Sequence, residues 1–124
     1  MDKKHILFVD DDSEMLSAVR SALEDVGYRV TTADDGNKAL EELKRETPDL
    51  IMTDLRMQPM NGFEFFQEVK KVPAYAKIPF FFMTAINDPL ASKYSETLGV
   101  DAYITKPVDL EELSDLIQKR LNRK

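Results

Sequence analysis

The sequence predicts an open, doubly wound α/β fold with a parallel sheet, and three observations carry that expectation. Strand-like and helix-like segments alternate along the chain, the strand-like segments are near-continuous apolar runs, and 124 residues are too few for an eight-stranded barrel. Apolar strands need cover on both faces, so amphipathic helices must lie on both sides of the sheet.

The first strand, β1, is read at His5–Val9. Met15, Leu16, Val19, Ala22, Leu23 and Val26 then share a helical face (α1, positions 15–26) that stops at Gly27, a residue suited to the position after a helix end. Positions 28–33 are β-rich (β2), and Ala39, Leu40 and Leu43 mark a short helix (α2, positions 39–43) that must end before Pro48. Leu50–Thr53 (β3) leads into an irregular stretch with Pro59 and Gly62. Phe63, Phe66, Val69 and Lys70 then follow helical spacing as far as Pro73 (α3, positions 63–70). Positions 78–83 are the most hydrophobic segment and read as a central strand (β4). Asn87 or Asp88 caps the next helix, which has Pro89 in its first turn and Leu90, Tyr94 and Leu98 as a weak apolar repeat (α4, positions 89–98). Positions 101–105 form the last strand (β5), and Leu110, Leu113, Ile117 and Leu121 line the inner face of the final helix (α5, positions 110–121).

A chain of this length with 43% hydrophobic residues suits one domain with one core, leaving no room for an output domain. The net charge of −6 and pI near 4.8 give no basic field, so direct nucleic-acid binding is not expected. The absence of cysteine removes disulfides, thiolate metal sites and redox motifs. No signal or membrane-spanning segment is legible, which makes the cytoplasm the default location.

Four strands end in polar residues: Asp10 and Asp11 after β1, Asp54 after β3, Thr84 after β4 and Lys106 after β5. In an open parallel sheet the carboxyl ends of strands converge on one crevice, at the switch point between β1 and β3. Three carboxylates gathered there repel one another unless a cation joins them. Magnesium suits such a set, because it binds through one or two carboxylates plus waters and phosphate. Calcium wants more protein oxygens, and zinc wants histidine or cysteine, of which only His5 is present, at the far end of its strand. An ammonium and a hydroxyl beside the carboxylates complete a site for a phosphoryl group, with Asp54 as a nucleophile that becomes an acyl phosphate.

These residues lie within ILFVDDD at positions 6–12, PDLIMTDLRM at 48–57, MNG at 60–62, FFMTA at 81–85 and DAYITKP at 101–107. In that order and spacing they resemble the receiver domain of two-component response regulators, over positions 3–121. The resemblance implies a flavodoxin-like (βα)5 fold with strand order 2-1-3-4-5 and a phosphoryl group accepted by Asp54 from the phosphohistidine of a sensor kinase or phosphotransfer protein. It implies magnesium, with manganese an acceptable substitute, bound directly by Asp11, Asp54 and the backbone carbonyl of Arg56, and by Asp10 largely through water. Lys106 would pair with a phosphoryl oxygen, aimed inward by a cis bond to Pro107. Thr84 and Tyr103 would form the switch, reshaping the α4–β5–α5 surface where a downstream protein, or a second phosphorylated copy, would dock. Arg56 and Ile86 would border the path of the hydrolytic water and tune the phosphoryl lifetime.

Two departures stand out: Gln58 occupies the place where such domains usually have proline, with Pro59 following, and Val108 replaces a frequent phenylalanine. The loop around Gln58 thereby regains a backbone N–H. Three other readings compete. A magnesium-dependent phosphatase with an aspartyl-phosphate intermediate would want an acid where Arg56 stands. A flavodoxin-type cofactor binder would not place Asp10, Asp11 and Asp12 after β1, since they repel phosphate. A receiver-like module acting without phosphorylation has no need of the full acidic set. Asp12 or Ser13 reads as the cap of α1, Asp34, Asp35 and Gly36 as a turn and cap, and His5 as structural or exposed.

Overall fold

The computed structural model describes residues 3–122. Its elements are β1 His5–Val9, α1 Ser13–Asp25, β2 Arg29–Ala33, α2 Gly36–Arg45, β3 Leu50–Thr53, α3 Gly62–Lys70, a 3-10 turn Pro73–Tyr75, β4 Phe80–Thr84, α4 Pro89–Leu98, β5 Ala102–Thr105 and α5 Leu110–Leu121. The five strands are parallel in the order β2-β1-β3-β4-β5. This is the doubly wound, flavodoxin-like arrangement expected.

Strand residues alternate between two cores, as a pleated sheet demands. Leu7, Val9, Ile51, Phe80 and Phe82 meet Leu43 of α2 and Phe65, Phe66 and Val69 of α3 on one face. Ile6, Phe8, Met52, Phe81 and Met83 meet Val19 and Leu23 of α1 and Leu113 and Ile117 of α5 on the other. Each helix begins where a side chain caps it. Asp12, Asp35, Asp88 and Asp109 accept N–H groups at the starts of α1, α2, α4 and α5, and Asn61 and Glu64 form a reciprocal capping box at α3.

Some boundaries and faces differ from the sequence reading. β4 begins at Phe80, because Pro79 has no N–H to give to the ladder and the Ile78 carbonyl accepts from Lys70 Nζ at 2.8 Å. That ammonium also reaches the Ala76 carbonyl at 3.1 Å and lies over the Phe66 and Phe80 rings, closing the turn between α3 and β4. Val26, read as inward, is 59% exposed, since it is the C-cap of α1 with φ −100° and ψ 12° and leaves the helical path. Leu110 is 37% exposed at the first position of α5, before that helix settles on the sheet. On α4, Leu90 (77% exposed) faces outward, Tyr94 (43%) is half-exposed with its ring edge-on against Phe63, and Ser95 is the buried residue. His5 is buried, its Nε2 2.7 Å from Thr31 Oγ1. No helix among the described residues is long and apolar enough to cross a membrane.

Candidate functional site

Backbone hydrogen bonds carry the sheet register one residue past the strand ends and set the site's frame. Asp10 N–H donates to Ala33 O (3.1 Å), Asp54 N–H to Val9 O (3.0 Å) and Lys106 N–H to Thr84 O (2.8 Å). Residues separated by up to 96 positions are thereby brought to one edge. One carboxylate oxygen from each of Asp10, Asp11 and Asp54 lies within 4.8 Å of the others. Asp10 is fully buried, Asp54 is 6% exposed and Asp11 faces solvent.

Lys106 binds two of the three: its Nζ is 2.7 Å from Asp10 Oδ2 and 3.1 Å from Asp54 Oδ2. The Lys106–Pro107 bond is cis, as the resemblance implied, and Gln58–Pro59 is cis as well. The second oxygens are held by main chain. Asp10 Oδ1 accepts from Asp12 N–H at 3.0 Å, and Asp54 Oδ1 accepts from Leu55 N–H at 2.6 Å and Arg56 N–H at 3.3 Å. Burial pushes the Asp10 carboxyl above its ordinary value, against the opposing pull of Lys106 and of the Asp12 N–H, while the charge of Asp54 adds to the rise. Burial alone would depress the Lys106 ammonium, but its hydrogen bonds to Asp10 and Asp54 and their charges outweigh it and raise its pKa, so it stays protonated at neutral pH.

Thr84 is fully buried, and its Oγ1 accepts from Ile86 N–H at 3.2 Å. Tyr103 Oη donates to the carbonyl of the same residue, Ile86, at 2.6 Å. Thr84 and Tyr103 thus hold the two polar backbone groups of Ile86, at the start of the loop between β4 and α4. Burial raises the Tyr103 phenol, with the charges of Asp88 and Asp54 contributing. Arg56 and Ile86 line a cavity of about 580 Å³ together with Asp11, Gln58, Asn61 and Phe63.

The donor set fits a hard divalent cation. Three carboxylates and one ammonium leave two uncompensated negative charges in a partly buried cleft, and every acidic donor is an oxygen. All the residues singled out in the sequence therefore meet in one region: Asp10, Asp11, Asp54 and Lys106 in contact range, Thr84 and Tyr103 joined through Ile86, and Arg56 on the rim. Sequence reading missed the main-chain groups of Leu55 and Ile86, because every residue type but proline presents the same N–H and carbonyl.

Residues 6–118 match the family described as response regulator receiver domain. The probable transcriptional regulator ycf27 of Porphyridium aerugineum is 35% identical over 123 residues, covering 99% of this chain and 50% of that protein. The structure of the chemotaxis response regulator CheY4 of Vibrio cholerae superposes with a TM-score of 0.88 at 30% identity, covering 95% of this chain and 98% of that one. The receiver domain of the sensor histidine kinase PA1611 from Pseudomonas aeruginosa PAO1, described with a magnesium ion coordinated in its active-site cleft, matches with a TM-score of 0.88 at 25% identity over 98% of this chain and 100% of that one. The chain spans 18%, 50% and 26% of the length of three curated relatives it matches.

Proposed function

The chain belongs to the response regulator receiver family of two-component systems, phosphoacceptor signalling domains rather than enzymes in the usual sense, and from that premise we propose that Asp54 is its phosphoacceptor. The observation that carries the reading is the buried carboxylate of Asp54, gripped through Oδ1 by two backbone N–H groups and turned through Oδ2 toward Lys106. The donor is the phosphohistidine of a sensor kinase or of a phosphotransfer protein. An Asp54 oxygen bonds to phosphorus as the phosphorus–nitrogen bond breaks, and the departing imidazole keeps the electron pair.

The Lys106 ammonium, shared between Asp10 and Asp54, is the group available to follow the phosphoryl oxygens, where charge spreads in a loose transition state. Asp11 and Asp54 with the Arg56 carbonyl, and Asp10 through water, would hold magnesium, or manganese in its place, which when bound neutralises charge on the phosphoryl oxygens.

The switch runs through one residue, Ile86. A phosphoryl oxygen that draws the Thr84 hydroxyl toward it takes that acceptor away from Ile86 N–H, loosening the residue whose carbonyl holds Tyr103. The Tyr103 ring, the loop and α4 then settle in a second arrangement already accessible to the domain. The α4–β5–α5 surface is the output face, for a downstream protein or for a phosphorylation-dependent homodimer. On this reading the 124-residue sequence is one receiver domain, working in the cytoplasm and without direct contact to nucleic acid. Ile86 has no group able to orient a hydrolytic water, which supports slow autodephosphorylation, with Arg56 the other residue on that path.

The test is intact-protein mass after incubation with acetyl phosphate and magnesium, beside Asp54→Asn and a chelator control. A gain of one phosphoryl group that needs both Asp54 and metal is expected. No gain, with fold and metal binding intact, favours an interaction module that works without phosphorylation and makes the Gln58–Pro59 loop the first suspect.

A further inference from the structure

Gly62 opens α3 with its backbone against that of the phosphoacceptor. A β-carbon at this position would overlap the carbonyl oxygen of Asp54, and it would lie 2.8 Å from Leu55 Cα and 3.0 Å from the Asp54 carbonyl carbon. All three are main-chain atoms, so none can swing aside as a side chain would. The requirement is for space alone, since among the described residues positive φ occurs only at Gly27 and Gly99.

The contact continues to the reacting carboxylate. Gly62 N–H donates to the Leu55 carbonyl at 3.0 Å, and the N–H of Leu55 holds Asp54 Oδ1 at 2.6 Å. Behind Gly62 the helix is firmly set. The Asn61–Glu64 capping box closes with two bonds of 2.9 Å, and Phe65, Phe66 and Val69 are buried. A fixed helix start thus bears directly on the turn 54–56.

We propose that Gly62 is a positioning residue for phosphoryl transfer, an inference that rests on Asp54 being the phosphoacceptor. The missing side chain lets α3 clamp the 54–56 turn, which pins Oδ1 on the Leu55 and Arg56 N–H groups and turns Oδ2 toward Lys106. A methyl group at position 62 pushes that turn outward and misaims the carboxylate.

The experiment compares the unaltered protein, Gly62→Ala and Gly99→Ala. Gly99 has φ +87°, and a β-carbon there would meet nothing within 4 Å, so its variant loses stability through backbone strain without touching the site. Phosphorylation by acetyl phosphate at saturating magnesium is followed by intact mass per folded molecule, and the Leu55 and Arg56 amides by nitrogen–proton NMR. Gly62→Ala is expected to react at least about tenfold more slowly, since a misplacement of about 1 Å can cost about 100-fold, and to shift both amide resonances. Gly99→Ala should keep the normal rate and resonances. Equal rates for Gly62→Ala and the unaltered protein overturn the inference alone, whereas no uptake by the unaltered protein removes the reading beneath it as well. Should Gly62→Ala not fold, amide exchange in the unaltered protein decides. Protection of Gly62 N–H matching that of Asp54 N–H supports the clamp, and exchange at the rate of an open loop overturns it.

Discussion

Replacing Lys106 by methionine keeps a long apolar stem and deletes one charge. The separations of 2.7 Å to Asp10 and 3.1 Å to Asp54 correspond to about 6 and about 5 kcal/mol of attraction at an effective dielectric constant of about 20. Against this stand the desolvation of the ammonium and the relief gained by protonating a carboxyl once the lysine is gone, several kcal/mol together. The balance is a loss of about 3–5 kcal/mol at neutral pH, the usual cost of removing one partner from a buried pair. Asp10 makes that loss depend on pH. Its pKa is already raised by burial above 3.8, and removing Lys106 raises it further. A carboxyl with a raised folded pKa contributes stability that is complete below its unfolded value and lost as pH rises through the folded one. Urea unfolding of metal-free protein, followed by circular dichroism at about pH 5 and 7, should therefore show Lys106→Met losing more at the higher pH. Asp10→Asn in the same chain should restore much of the stability. A loss below about 1 kcal/mol at neutral pH, or no recovery in the double variant, would refute the claim that Lys106 neutralises a buried acidic pair.

Ile86→Glu should shorten the phosphoryl lifetime by about tenfold or more, because it offers a group that can orient water; mass spectrometry after donor removal measures it, and an unchanged lifetime removes the role assigned to that position. Tyr103→Phe deletes the donor to the Ile86 carbonyl and should cost about 1 kcal/mol while speeding amide exchange in the β4–α4 loop; unchanged exchange there would mean that the hydroxyl does not restrain the loop. Burial lowers the His5 imidazole below 6.5, with Arg29 assisting and Glu46, Asp49 and Glu42 opposing. The neutral ring stabilises the fold above that value, and the contribution is lost as pH falls below it. His5→Gln should flatten the stability profile just below about pH 6.5, as read by urea midpoints, and an unaltered profile would contradict the assignment.

The acidic site was legible because strand ends in a parallel sheet need no long-range information to converge. Asp10, Asp54, Thr84 and Lys106 each close an apolar run, and the ladder continues through their N–H or carbonyl groups. What escaped was carried by main chain or by exposure. Ile86 joins Thr84 to Tyr103 through its own backbone N–H and carbonyl, which any residue but proline would supply. Val26 and Leu110 fit the helical period of their neighbours, but each sits at a helix end, where the period no longer predicts burial. In the sequence Lys70 counts only toward the helical spacing of α3, and the folded α3–β4 turn is what gathers carbonyls around it.

Helices α4 and α5 are fastened to the sheet very differently. α5 drives Leu113 and Ile117 fully into the core, whereas the buried residue of α4 is Ser95, whose hydroxyl returns to the Ala91 carbonyl of its own helix. At about 25 cal/mol per Å² of apolar surface, an element that hides little is held by little. Under the proposed switch, two placements of α4 would then differ by only about 1–3 kcal/mol, the worth of one or two charge-assisted hydrogen bonds. So narrow a gap puts the resting set point within reach of ordinary drift. A single conservative exchange on α4 can move the unphosphorylated population severalfold, so relatives with identical acidic sites can differ in how active they are before any signal arrives.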